Sequence, residues 1–71
     1  MVSANKTTRW FRANLIHLGL SVKDVIDTSG VSASVLYKLA NGSRIPSRQT
    51  LQKISTAIDE LAKQKVEALK K

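Results

Sequence analysis

Cysteine is absent from the chain, which excludes a disulfide framework and a thiolate zinc site and fits a reducing compartment. Aromatic residues are only three, Trp10, Phe11 and Tyr37, so the core that 42% hydrophobic residues can build is mostly aliphatic, as suits packed helices better than a sheet. No apolar run is long enough to span a bilayer, and no stretch reads as a secretory signal. Acidic residues are scarce as well: five Asp and Glu face twelve Lys and Arg, for a net charge of +7. A field of that sign favours polyanions, nucleic acid or an anionic membrane among them. At 71 residues the chain has room for one small domain, residues 1–71, with a modest core whose stability a partner would help.

Glycine and proline are rare enough to serve as punctuation. Gly19, Gly30 and Gly42 each follow a segment of helical periodicity, where a residue free to take positive φ ends a helix. This cuts the chain into an all-α arrangement of four to five helices. The first runs from about Asn5 to Leu18 with an apolar stripe of Phe11, Leu15 and Leu18, although Trp10 and Ile16 compete for the buried side. The second starts after Ser21, which with Asp24 forms a capping pair, and presents Val22, Val25 and Ile26. The third starts after Ser32 and stops at Gly42. After Pro46 and a third serine cap, Ser47, a long helix runs over about 48–69, with Leu51, Ile54, Ile58, Leu61, Ala62 and Leu69 on one side, Val66 at its edge and Lys65 pointing into that side. Its first half reads as core. Its second half is open to three readings: a solvated extension, a frayed end or a dimer contact.

The short third helix, "ASVLYKLAN", divides by polarity when rotated about 100° per residue. Leu36, Leu39 and Ala40 share one arc. Ser34, Tyr37, Lys38 and Asn41 share the opposite one, with Ala33 on the flank of the first turn. A hydroxyl, a phenol, an ammonium and a carboxamide are groups that reach base edges or phosphates, and the small Ala33 and Ser34 let the leading end approach a groove floor, where Ala33 can meet a thymine methyl. Two short helices joined by "TSGVS", the second polar on its outer face, are what a helix-turn-helix requires, here over about 21–42. Arg44 and Arg48, around "SRIPS", stand where a phosphate strand would pass.

Over residues 19 to 58 the sequence resembles the lambda-repressor and Cro-like (XRE-type) helix-turn-helix transcriptional regulators of bacteria and their phages. The resemblance is carried by "GVS" at the turn, "NG" at the end of the third helix, and the proline followed by "TLQKI". It implies a compact helical domain whose third helix reads the major groove of double-stranded DNA, usually as a homodimer on a partly palindromic operator. Carried over by position, Ala33, Ser34, Tyr37 and Lys38 are the base-reading candidates, with Ser32, Asn41 and Arg44 at or near the backbone; Arg48 joins them by its placement. Two positions depart from the family pattern. Val22 stands where a phosphate-bracing glutamine is common, leaving Ser21 and Lys23 for that contact, and Ile26 replaces the small alanine at the helix crossing, implying a slightly wider crossing.

Blander readings compete for each of these residues. The polar side of the third helix is also what a solvated face looks like, Tyr37 can cover the core edge with its hydroxyl in water, and Lys38 suits a phosphate as well as a guanine edge. Trp10 reads as a core or helix-packing anchor rather than a stacking platform, since no second aromatic continues a stack. His17 has no metal-binding neighbours in the sequence, and Asp24 and Asp27 read as capping and solvating groups rather than a catalytic pair, so no cofactor, metal or enzymatic activity is expected. The last helix carries Lys53, Lys63, Lys65, Lys70 and Lys71; Lys53 and its neighbours can touch DNA, whereas the terminal lysines read as a diffuse field or as caps of the helix C-terminus.

The expectation is therefore a cytoplasmic transcriptional regulator, a repressor of phage or mobile-element type that acts by occupying its operator, with Leu61, Val66 and Leu69 as candidate dimer contacts. The competing expectation is a protein-interaction module of the same fold, an antitoxin, antirepressor or polymerase-binding protein, that uses the C-terminal helix. Three serine-capped segments, each distinct, argue against a peptide that lies on membranes.

Overall fold

The computed structural model describes residues 5–69 and consists, over that span, of four helices without a strand: α1 (Lys6–Leu18), α2 (Val22–Ser29), α3 (Ala33–Asn41) and α4 (Arg48–Leu69). There is no fifth helix among the described residues. Each of the first three helices opens on a side-chain cap and closes on a glycine with positive φ. Asn5 caps α1 by accepting from the Thr8 amide at 2.7 Å. At α2 the pairing is reciprocal, the Ser21 hydroxyl accepting from the Asp24 amide at 3.2 Å and the Asp24 carboxylate from the Ser21 amide at 2.9 Å. The fourth helix opens on Ser47, whose hydroxyl takes the Thr50 amide.

The core is a single cluster to which every helix contributes: Phe11 from α1, Val25 from α2, Val31 from the turn, Leu36 and Leu39 from α3, and Ile54, Ala57 and Ile58 from α4. Burial of the seven side chains larger than alanine, each worth about 1.5–3 kcal/mol, is what opposes the chain entropy of so short a domain. Phe11 settles the register of α1. It is fully buried, while Ile16 is 78% exposed and Trp10 lies outside the core, 38% exposed over the seam between α1 and α4 beside Leu51. Trp10 is thus an edge residue and not a core anchor. Thr8, unremarked in the sequence, is fully buried and donates its hydroxyl to the Leu39 carbonyl at 2.9 Å, tying the last turn of α3 to α1.

In α4 the change from core to surface falls where the periodicity weakens. Leu61 and Ala62 are half-buried, and every side chain from Lys63 to Ala68 is exposed, Val66 and Lys65 included. Lys65 does not enter the apolar side; its ammonium stands 3.7 Å from where a side chain at position 19 would begin, and it lines a recess with Leu20 and Asp24. It therefore braces α4 against the corner between α1 and α2. The side chain of Leu69, together with Lys70 and Lys71, lies outside the described residues.

The Asp24 carboxyl is held below its ordinary value of 3.8, chiefly by the hydrogen bond from the Ser21 amide, then by the Ser21 side chain, with Lys65 and Lys23 adding weaker attraction. A depressed folded-state pKa contributes stability that is present above 3.8 and is lost as pH falls through the lower folded value. Asp24→Asn should accordingly melt below the wild type at pH 7, with the difference closing once both are in strong acid. Thermal unfolding followed by circular dichroism across that pH range checks it, and a gap that persists unchanged at the acid end contradicts it.

Candidate nucleic-acid interface

The site is built by the turn between α2 and α3. Gly30 takes φ 73° and its amide returns to the Ile26 carbonyl at 3.0 Å, closing α2 in a conformation that costs a residue with a Cβ roughly 1–2 kcal/mol. Val31 follows with its amide on the Ser29 hydroxyl at 3.1 Å and its side chain in the core, so the turn is plugged from below. The chain is then free to start α3 at Ser32, whose hydroxyl accepts the Val35 amide.

Once started, α3 is fixed along its inner side. Leu36 and Leu39 are fully buried, Val35 and Ala40 half-buried against the same cluster, and the Thr8 hydroxyl holds the carbonyl of Leu39. The outer side is therefore determined by elimination: Ala33, Ser34, Tyr37, Lys38 and Asn41 are all exposed. At the far end Gly42, at φ 82°, lets the Ser43 amide reach the Lys38 carbonyl at 2.9 Å and its own amide reach Leu39 at 3.2 Å, the paired bonds of a Schellman termination. Asn41 joins this closure by accepting the Ser43 amide at 2.9 Å, which occupies its carbonyl oxygen and leaves its NH₂ as the outward group.

The backbone candidates flank this helix. Lys23, Arg44 and Arg48 are exposed, the last two on either side of buried Pro46, which docks the connection to α4. Ser21 and Ser32 are exposed, and each spends its hydroxyl oxygen on a cap, so towards a phosphate each acts as an O–H donor. Of the candidate dimer residues, Leu61 packs against the core of its own chain and Val66 stands in the open, while the side chain of Leu69 lies outside the described residues. Around Val66 run Asp59, Ala62, Lys63 and Glu67, a side of α4 that carries both signs of charge.

The acidic residues are confined to two parts of the chain. From Thr28 to Ile58 there is no carboxylate, and the five acidic residues all fall on α2 or on the second half of α4. The turn, α3, the connection and the first half of α4 carry Lys38, Arg44, Arg48 and Lys53 as their only charged residues. No helix among the described residues is long and apolar enough to cross a membrane, and among the same residues no three of His, Asp and Glu gather as metal ligands would.

A short helix presented by a glycine turn, locked beneath and polar above, within an acid-free basic stretch, is the arrangement by which helix-turn-helix domains enter a major groove. The profile of the helix-turn-helix family matches residues 11–62, from the buried Phe11 of α1 to the point where α4 leaves the core. No curated protein and no solved structure gives a match. The chain belongs to the XRE-type helix-turn-helix family, a family of DNA-binding regulatory domains.

Proposed function

We propose that the protein is a sequence-specific transcriptional repressor of phage or mobile-element type, which binds double-stranded DNA as a homodimer and acts by covering its operator. The observation that carries this reading is the outer side of α3: Ala33, Ser34, Tyr37 and Lys38 are exposed together on a helix whose opposite side is buried, with no carboxylate to repel DNA from Thr28 to Ile58. In this reading Ser34, Tyr37 and Lys38 reach base edges and Ala33 meets a thymine methyl. Ser21, Lys23, Ser32, Asn41, Arg44 and Arg48 hold the phosphates.

Four side chains on one helix read only a few base pairs, and a second protomer on an adjoining half-site doubles both contacts and discrimination. The operator is then partly palindromic. Occlusion needs neither a ligand pocket nor a catalytic group, and places the protein with the DNA of a bacterial cytoplasm or of a phage-infected cell. The exposed Val66 supports a second reading, in which the projecting half of α4 holds a protein partner and DNA is bound only through charge.

Arg44 separates positioning from reading. As a phosphate contact outside α3, its replacement by alanine should weaken binding to operator and unrelated duplex by the same factor and make the salt dependence shallower by about 0.9 per protomer. Anisotropy titrations over a salt series check this. Loss confined to the operator would make Arg44 a base-reading residue.

A further inference from the structure

Arg12 lies on α1, outside the motif, and nothing above gives it a part. It is exposed, and it lines a recess of about 520 Å³ between α1, α2 and α3. The floor is apolar, made by the half-buried Leu15, Val22 and Ala40, and the rim is Arg12 and the exposed Ile16 from α1 with Tyr37 and Asn41 from α3. We propose that Arg12 and Asn41, beside the base-reading Tyr37, form a seat for the DNA strand that borders the groove occupied by α3, with the Arg12 guanidinium on a phosphate. The inference rests on the DNA-reading assignment and adds to it a strand contact made from a third helix.

Three observations carry it. The first is donor chemistry. A guanidinium only donates, and Asn41, whose carbonyl oxygen accepts from the Ser43 amide, keeps both N–H groups free to donate. Donors on the rim call for a ligand made of acceptors, and a phosphodiester is that ligand.

The second is charge. No carboxylate lines this recess, whereas the recess below Lys65 contains Asp24 and the one beside Val66 contains Asp59 and Glu67. The third is continuity. Tyr37 and Asn41 belong to the outer side of α3, so a strand in this seat borders the groove that the same helix reads. Val22 brings no side-chain donor to the start of α2, and Arg12 adds a second cation there beside Lys23.

The test compares wild type, Arg12→Ala, Arg12→Lys and Lys63→Ala by anisotropy titration, on the operator obtained by selection and on a scrambled duplex, over a salt series. Lys63 is the control because it removes the same charge from the mixed-sign side of α4. Arg12→Ala should weaken both duplexes alike, about tenfold per protomer near 0.1 M salt, and flatten the salt dependence by about 0.9 per protomer. Arg12→Lys should keep the slope, and Lys63→Ala should change neither quantity.

An Arg12→Ala slope equal to wild type overturns the seat, and so does an equal effect of Lys63→Ala, which would reduce Arg12 to diffuse charge. Arg12→Gln keeps the side-chain stem and carries the same comparison if the alanine variant loses helicity. Wild type that retains no duplex at all overturns the DNA-reading assignment and the seat together; tight wild-type binding with an unaltered Arg12→Ala slope overturns the seat alone.

Discussion

Replacing Tyr37 and Lys38 together by alanine is expected to erase the preference for the operator over unrelated duplex while leaving helix content and melting temperature unchanged. Both side chains are exposed on α3, Tyr37 by 55%, and both are held there by Leu36 and Leu39, which the substitutions do not touch. Surface changes of this kind normally shift stability by no more than about 0.5 kcal/mol each. Base contacts are worth about 1–3 kcal/mol of discrimination each, and a dimer loses two per half-site. A specificity ratio on the order of 10³ or more would fall close to one. What remains is the charge-driven binding of Arg12, Lys23, Arg44, Arg48 and Lys53, so unrelated duplex should be bound nearly as before, less the one phosphate-capable charge of Lys38. Competition titration with both duplexes, beside a melting curve, checks the pair; a variant that melts early would make these two side chains structural.

Phe11→Ala is expected to be the most damaging single change to the fold. Phe11 is fully buried in the cluster where α1 meets the other helices, and it is the largest side chain there. Truncating a buried phenylalanine costs about 3–5 kcal/mol. At roughly 0.05–0.15 kcal/mol per residue, a domain this short has a total stability of the same order. The variant should be largely unfolded at 37 °C and bind no operator, whereas Phe11→Leu, which refills most of the volume, should remain folded with a lowered midpoint. Chemical denaturation of both variants measures this directly. A Phe11→Ala midpoint at nearly the same denaturant concentration as wild type would mean that α1 contributes little to the cooperative unit.

Much of this arrangement is legible in the sequence because its boundaries are chemical. Ser21 with Asp24, Ser32, Gly30 and Gly42 each answer a definite requirement of an unsatisfied amide or a positive φ, and the helix limits fall where those residues stand. The division of α3 follows as directly, because nine residues leave few ways to rotate Leu36 and Leu39 inward. Other features depend on contacts between helices that a local pattern does not contain. Trp10 and Phe11 are equally apolar neighbours, and only the packing of α1 on α3 and α4 decides that Phe11 is enclosed while Trp10 covers a seam.

Thr8 escaped for the same reason. Its burial is bought by one hydrogen bond to a carbonyl thirty-one residues away. Lys65 was misplaced because helical rotation gives a direction for the Cβ and not for the end of a long side chain, which here bends to the α1–α2 corner. Arg12 shares its recess with Tyr37 and Asn41 only through the fold. The acid-free interval from Thr28 to Ile58, by contrast, is visible in the sequence itself and is found by mapping where charge is missing.

The central claim is that α3 reads DNA sequence, and it is tested most directly by selecting a random duplex pool on the purified protein at physiological salt and sequencing what is retained. The account predicts enrichment of a short inverted repeat, and its loss when Tyr37 and Lys38 are replaced. Retention of duplex without enrichment of any sequence would contradict it, leaving binding to charge alone and moving the function to a protein partner on the projecting half of α4.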